Sequence, residues 1–552
     1  MINATLKIQG RPAWVFGLGL LAMFGASVPA VWAKDIRGTF YGDIKSDPGS
    51  LNVITTMESE ARDVLYYVYD NLLRRDLNTW EYVPALAEKW TISKDGKTFT
   101  FTLRDGLKWH DGQPVTAEDV KYSFDVYSEG RFKAPDKAVY YEKMKEAKIV
   151  DAKTIQFVAR ETYFKNFEVL AELTIIPKHF FGVGDPLDPK FNKEMIGTGP
   201  YQFAEWNKGQ RIVLKRNPNY WGDKVPDLAD AFNFEKINFR IVKEQAVEIE
   251  LLKKGDLDYI LLNSEQYSQK TKGPEWGTKV MAVKTRNDAP ANYSYAFLGW
   301  NEKHPFFKDR DVRMAMSHLI NRDFMIQKFG YGLTEKATGP FGNASPASSP
   351  KVKPIEYDPK AALALLTKNG WKMGATGLTK VIEGKETAFE FTLLCPSKDF
   401  DKYLTVIKED MRKVGVTMNI KLIEWNSFLK LVTEEKKFDA MAMSWTVNTL
   451  EDDPKQIWHS ESAVNGGDNF VSYANPVVDR AIDEMRSSLD PKKRRELLHV
   501  IHEQIAADQP YSFFFNRRYW LYAHTARIRK PGGDTLKFGV GLGTWKLQPD
   551  GQ

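Results

Sequence analysis

The side chains best suited to chemistry in this 552-residue chain are few and far apart. His502-Glu503 begins the pattern in which one helix presents two imidazoles and a general base to zinc, but the second histidine position is Ala506, so the ligand set is broken. His499 and His502 share a helix face at i, i+3 spacing. With eight histidines otherwise scattered along the chain, no dedicated metal site is expected there. Gly539-Val540-Gly541-Leu542-Gly543 has part of the glycine spacing of a dinucleotide loop, yet residue 544 is Thr and no βαβ unit follows, so a terminal loop is expected. Neither a Gly-x-Ser-x-Gly elbow nor a phosphate-binding Walker loop occurs. Cys395, the single cysteine, ends the apolar run Phe391-Thr392-Leu393-Leu394 and reads as a buried structural thiol. These residues point away from catalysis, so no enzyme is expected.

The elements that would position a site alternate between strand and helix. Phe99, Phe101 and Leu103 alternate with Thr98, Thr100 and Thr102 behind the turn pair Asp95-Gly96, which predicts a hairpin strand with one buried face. Thr116-Ala117-Glu118-Asp119 opens a helix carrying Val120 and Phe124. Asp358-Pro359 opens another, closed by Gly370, and Asp490-Pro491 a third through Leu497, Leu498, Ile501 and Ile505. Val416, Met418, Ile420 and Leu422 alternate with polar residues as a strand. Intermixed helices and strands in a chain this long predict an α/β architecture with more than one lobe.

The amino terminus has the order of an export signal. Lys7 and Arg11 precede an uncharged stretch from Pro12 to Ala33 that ends in Val31-Trp32-Ala33, so residues 1–33 are expected to be a cleaved signal peptide. Val28-Pro29-Ala30 offers a second cut. No other long apolar run follows, and the remainder reads as soluble. The net charge of +6 is dispersed, without the basic run that tracks a phosphate backbone, so nucleic acid is not expected as a partner. Aromatic residues make up 13% of the chain, including 15 Trp, enough to fill the cores and leave rings for flat contacts with a ligand.

Several blocks, in order, resemble the family 5 extracellular solute-binding proteins of bacterial ABC importers, the group of dipeptide, oligopeptide and nickel binders. They include Pro84-Ala85-Leu86-Ala87-Glu88-Lys89-Trp90 and Leu107-Lys108-Trp109-His110-Asp111-Gly112-Gln113-Pro114-Val115-Thr116-Ala117. Gly197-Thr198-Gly199-Pro200-Tyr201, Asn217-Pro218-Asn219-Tyr220-Trp221, Lys254-Gly255-Asp256-Leu257-Asp258, the stretch from Asn301 to Ala315, and Tyr473-Ala474-Asn475-Pro476 follow. Tyr140-Tyr141, Asp151-Ala152-Lys153-Thr154 and the spacing around Trp458 are most similar to the branch of microcin and murein-peptide importers. The resemblance implies a two-lobed α/β periplasmic-binding-protein fold with an inserted subdomain. Residues 34–75, 197–292 and 516–552 would form the first lobe, 76–196 the insert and 293–515 the second lobe.

By the same resemblance the chain is a periplasmic, monomeric binding protein without a cofactor. It would capture an oligopeptide or modified peptide between lobes and pass it to the permease subunits of an importer in the inner membrane. Another solute, such as an oligosaccharide or a chelated metal, is the alternative, and an envelope hydrolase a more distant one. Peptide-binding relatives commonly place a Trp and, three residues later, an Asp that pairs with the ligand's ammonium. The matching segment here is Trp445-Thr446-Val447-Asn448, so an amide stands where the acid would be. Either Glu451, Asp452 or Asp453 compensates, or the ligand lacks a free amino end. Trp425 matches a second indole position and is expected at the end of a strand; Thr56 and Met57 are expected to reach the cleft. Tyr201, Tyr220 and Trp221 are expected to support the fold.

Overall fold

The computed structural model describes residues 34–129, 141–286, 293–447, 451–464, 467–530 and 539–549. The signal-like segment, Tyr140 and Asn448 lie outside the described residues.

The predicted hairpin strand is Thr98–Leu103, flanked by Ala87–Ile92 and Thr154–Ala159, with Met144–Ile149 completing an antiparallel sheet. Its apolar face, Phe99, Phe101 and Leu103, is buried as the alternation requires. The helix Ala117–Ser128 starts where expected, the Asp119 carboxylate accepting the Thr116 backbone N–H at 2.9 Å.

A second sheet joins Thr39–Ile44 in parallel to Lys236–Ile241, which is followed by Arg211–Arg216 and Tyr201–Asn207. Beside it, Tyr519–Thr525 lies between Tyr259–Leu261 and Val280–Arg286. The fully buried Asp258 fastens these parts, accepting from the Tyr41 N–H, the Thr525 hydroxyl and the Arg527 guanidinium. The signature around Gly197 also proves architectural. A Cβ at Gly197 would collide with the Val68 carbonyl. Tyr201 and Tyr220 are buried, and Trp221 Nε1 and the Thr198 hydroxyl both donate to Asp70.

The third body is a mixed sheet in the order Thr334–Lys336, Tyr511–Arg517, Tyr293–Trp300, Ala440–Val447, Glu390–Cys395, Thr417–Leu422. Helices Arg310–His318, Pro359–Lys368 and Asp401–Lys413 contribute to one core, with Ala440 and Ala442. Helices Pro476–Ser487 and Pro491–Asp508 contribute to the other, with Met441 and Met443. Asp358 and Asp490 cap their helices as expected, and Gly370 takes the left-handed φ of +90° that stops the first of them. Cys395 is buried. His502 is buried too: its Nδ1 accepts the Ser349 N–H at 2.9 Å, Glu503 accepts the Ser349 hydroxyl at 2.7 Å, and burial lowers the imidazole pKa to about 4. The pair braces a loop. The glycines at 539–543 lead through a short 3-10 turn, Leu542–Thr544, to the buried Trp545. Tyr511–Arg517 belongs to the mixed sheet and Tyr519–Thr525 to the three-stranded one, so the chain crosses between bodies at Arg518.

Candidate functional site

Strand direction decides which edge of the mixed sheet can hold a ligand. Glu390–Cys395 runs parallel to both Thr417–Leu422 and Ala440–Val447. Tyr293–Trp300 is antiparallel to Ala440–Val447 and to Tyr511–Arg517, so that last strand runs with the other three. Four carboxyl ends therefore open on one edge, the place where α/β sheets present loops to ligands.

A cavity of about 470 Å³ lies at this edge, lined among others by Ser397, Phe400, Tyr403, Trp425, Ser444 and Phe515. Five aromatic side chains line it, suited to apolar or planar ligand surface. The Trp425 side chain is 47% exposed and stacks on Phe428 with 5.7 Å between centroids. The expectation that Trp425 ends a strand is corrected. The strand stops at Leu422, and Trp425 is the first residue of the helix Trp425–Leu429, because Glu424 caps it by accepting the Asn426 and Ser427 N–H groups at 3.0 and 3.1 Å. The Tyr403 hydroxyl is pushed up by burial and then by Asp399 and Glu265. Glu265 follows the strand Tyr259–Leu261 of the three-stranded sheet, so charge from a second body acts on the cavity's Tyr403.

Trp445 sits on the neighbouring strand but on its other face. Strand alternation turns Ser444 toward the core that holds Ala440 and Ala442, and Trp445 toward that of Met441 and Met443, where its ring packs on Phe470 at 5.6 Å. Trp445 is half-buried and does not line the 470 Å³ cavity. Thr56 and Met57 occupy a turn ahead of the helix Ser59–Leu65, Met57 being 54% exposed, and they do not line it either. That helix carries Asp63, whose pKa is raised to about 6 by burial and by Glu60 and Asp43. The following Tyr66 is 68% exposed, yet the surrounding protein raises its hydroxyl, with Asp70 adding to the rise. Tyr259 is raised by burial, with Asp43 and Asp63 pushing up and Arg517 pulling down.

The three acids after Asn448 are not equivalent. Glu451 is paired with Arg494 at 2.6 Å. Asp453 accepts from Arg486 at 2.5 Å and from the Tyr163 hydroxyl at 2.7 Å. Among the described residues the one ion-pair partner of Asp452 is Lys165 at 3.9 Å, a lysine that is nearer to Glu168 at 3.4 Å. Burial raises the Asp452 pKa, Lys165 opposes it, and the carboxylate in turn pushes up the hydroxyls of Tyr293 and Tyr295. Asp452 was legible as one of three acids, and only the ion pairs separate it from its neighbours. Nothing in sequence singled out Tyr259 or Arg517.

A larger hollow of about 640 Å³ lies over the four-stranded sheet, bounded by Tyr41, Arg211, Arg240 and Asp256. Its arginines are paired within the rim, Arg211 with Glu205 at 2.9 Å and Arg240 with Asp256 at 3.4 Å. It adjoins none of the strand ends described above, so size does not make it the site.

A cavity lined by apolar and aromatic side chains at the carboxyl edge of an α/β sheet is the arrangement of a ligand-binding protein. Residues 81–467 match the model of the bacterial extracellular solute-binding proteins, family 5 (middle), and the chain belongs to that family. The oligopeptide-binding protein AppA of Bacillus subtilis (strain 168) is 28% identical over 485 residues, covering 85% of this chain and 84% of that protein. The solved structure of AppA from Bacillus subtilis in complex with a nonapeptide superposes with a TM-score of 0.74 at 24% identity, covering 94% of this chain and 100% of that one. NikA from Brucella suis, in complex with Fe(III)-EDTA, gives a TM-score of 0.78 at 20% identity over 93% of this chain and 100% of that one. The fold is that of two-lobed periplasmic binding proteins of mixed α/β content, and the family is one of solute binding, not catalysis.

Proposed function

We propose that this protein captures oligopeptides or modified peptides in the gap between lobes and delivers them, unchanged, to the permease of an ABC importer. The first lobe comprises residues 34–75, 197–292 and 516–552, the insert 76–196 and the second lobe 293–515. The chain works as a monomer in the periplasm after cleavage following Ala33. The export-type terminus supports this location, and among the described residues no helix is long and apolar enough to cross a membrane. The observation that carries the peptide reading is the open edge of the mixed sheet. From the strand before Trp425 to the strand ending at Arg517 there are four strand spacings, about 19 Å. That equals roughly five or six residues of extended chain. Aromatic walls at one end and an isolated carboxylate, Asp452, alongside suit a peptide held by its main chain with indifferent side-chain pockets. The relative named for oligopeptides, and its complex with a nonapeptide, support the same ligand class.

Isothermal titration with a defined peptide mixture, set against oligosaccharides and chelated nickel or iron, tests this reading. Peptide heat with no turnover of peptide on long incubation is expected. Heat from sugars or metal chelates alone would retire it.

A further inference from the structure

The crossing between the mixed sheet and the three-stranded sheet carries Arg517, whose side chain has no ion pair among the described residues. Arg517 ends the strand Tyr511–Arg517 and pairs through its backbone with Thr334. Its neighbour Asn516 faces Tyr295, which on its other side faces Trp445, so Arg517 opens on the same edge, about two strand spacings or 10 Å from the Trp445 strand. The guanidinium lies over the ring of Trp520 at 5.1 Å. Among the described residues no carboxylate stands within ion-pair distance of it and no acceptor takes its N–H groups. The Nε1–H of Trp520 is buried and likewise lacks an acceptor among the described residues. Arg216, Arg486 and Arg494 are by contrast already engaged, with Asp223, Asp453 and Glu451.

Arg517 is exposed at the end of its strand, and the protein packed around it lowers its pKa from the usual guanidinium value. An exposed guanidinium with no counter-charge among the described residues is free to receive an anion from solution. Its planar fork matches a carboxylate in two parallel hydrogen bonds. Asp43 and Asp63 act on the same Tyr259, but neither lies within ion-pair distance of Arg517.

We propose that Arg517 anchors the ligand's anionic end, which in the peptide reading, on which this inference rests, is the carboxyl-terminal carboxylate. An extended peptide with its carboxylate here would lie along the strand ends toward Trp425, and Arg517 would favour ligands whose length brings that carboxylate to the crossing.

Titration of hexa-alanine with a free carboxyl end and of its carboxyl amide, against the wild-type protein, Arg517→Gln, Arg517→Lys and Arg518→Gln, tests the assignment. Wild type should bind the acid about 10- to 100-fold more tightly than the amide, the range for a charge-assisted pair. Arg517→Gln should bind both forms at the amide's level, Arg517→Lys should keep part of the preference, and Arg518→Gln should keep all of it. A preference that survives Arg517→Gln with a wild-type circular dichroism spectrum overturns the assignment of Arg517 alone. Absence of heat from both peptides with the wild type overturns the peptide reading and this inference with it.

Discussion

Asp453 joins two bodies of the protein, and its removal should open the cleft. One of its oxygens takes both the Tyr163 hydroxyl at 2.7 Å and Arg486 Nη1 at 2.5 Å, with its side chain 8% and that of Arg486 18% exposed. Tyr163 follows the antiparallel sheet that ends at Ala159, whereas Arg486 lies on the helix Pro476–Ser487 of the mixed-sheet body. The contact is reinforced: Arg486 lies over the Tyr163 ring at 4.8 Å, its carbonyl accepts the Phe164 N–H at 3.0 Å, and Arg494 lies over Phe164 at 5.3 Å. Asp453→Ala removes the carboxylate shared by a partly buried guanidinium and a phenol, a loss of about 3 kcal/mol. If the bodies separate when ligand leaves, that loss falls on the closed form alone. It then weakens ligand binding by up to about 100-fold, since roughly 1.4 kcal/mol is tenfold. Small-angle scattering should give a larger radius of gyration for Asp453→Ala than for wild type at the same ligand concentration. Tyr163→Phe should lose less, and the double variant should show coupling near 1 kcal/mol. Wild-type affinity and radius in Asp453→Ala, with only a lower unfolding midpoint, would show that the contact is static and refute the reasoning.

Three further outcomes are expected. Trp425→Ala should weaken peptide binding about tenfold while leaving the unfolding free energy within about 0.5 kcal/mol, because the residue is half exposed on the cavity wall; calorimetry and urea titration read the two effects separately. Asp452→Asn should reduce affinity for peptides with free amino ends more than for acetylated ones, and Asn448→Asp should do the reverse; equal effects on both peptides would remove these residues from the amino-terminal subsite. Asp63, raised to about 6 against an unfolded value near 4, binds more protons folded than unfolded between those values, so its contribution to stability is full below about pH 4 and is lost as the pH rises through about 6. Asp63→Asn should flatten that fall in urea midpoints measured from pH 4 to 7.

The local architecture was legible because its causes are local. Asp358 and Asp490 cap the first turns of their helices, prolines tolerate those turns, and alternating Phe99, Phe101 and Leu103 leave one face to bury. The family blocks around Gly197 and Trp221 were legible too, but they mark a brace under Asp70, not a binding surface. Trp425 was found while its setting was misjudged, since Glu424 reads equally as the last step of an alternating strand or as a helix cap. Asp452 and Arg517 could not be ranked from sequence. What distinguishes them is what their neighbours already hold, and those neighbours, Arg494 for Glu451 and Arg486 for Asp453, come from a distant helix pair.

The same geometry explains how a binding site can tolerate ligands of varied sequence. Four strands that run in one direction place Ser397, Trp425, the end of the Trp445 strand and Arg517 in a row set by backbone hydrogen bonding. A ligand laid along such a row meets charge near Asp452 and Arg517 and flat rings near Trp425, none of which reads a particular side chain. Discrimination then falls on the ends and the length of the ligand. With the amino end near Asp452, which follows the Trp445 strand, and the carboxylate at Arg517, the span is two strand spacings, roughly 10 Å or about three residues of extended chain, so a series from di- to nona-alanine should resolve a maximum near three residues, longer chains having to arch out of the gap. A flat series would mean that the carboxylate is held elsewhere than at the crossing.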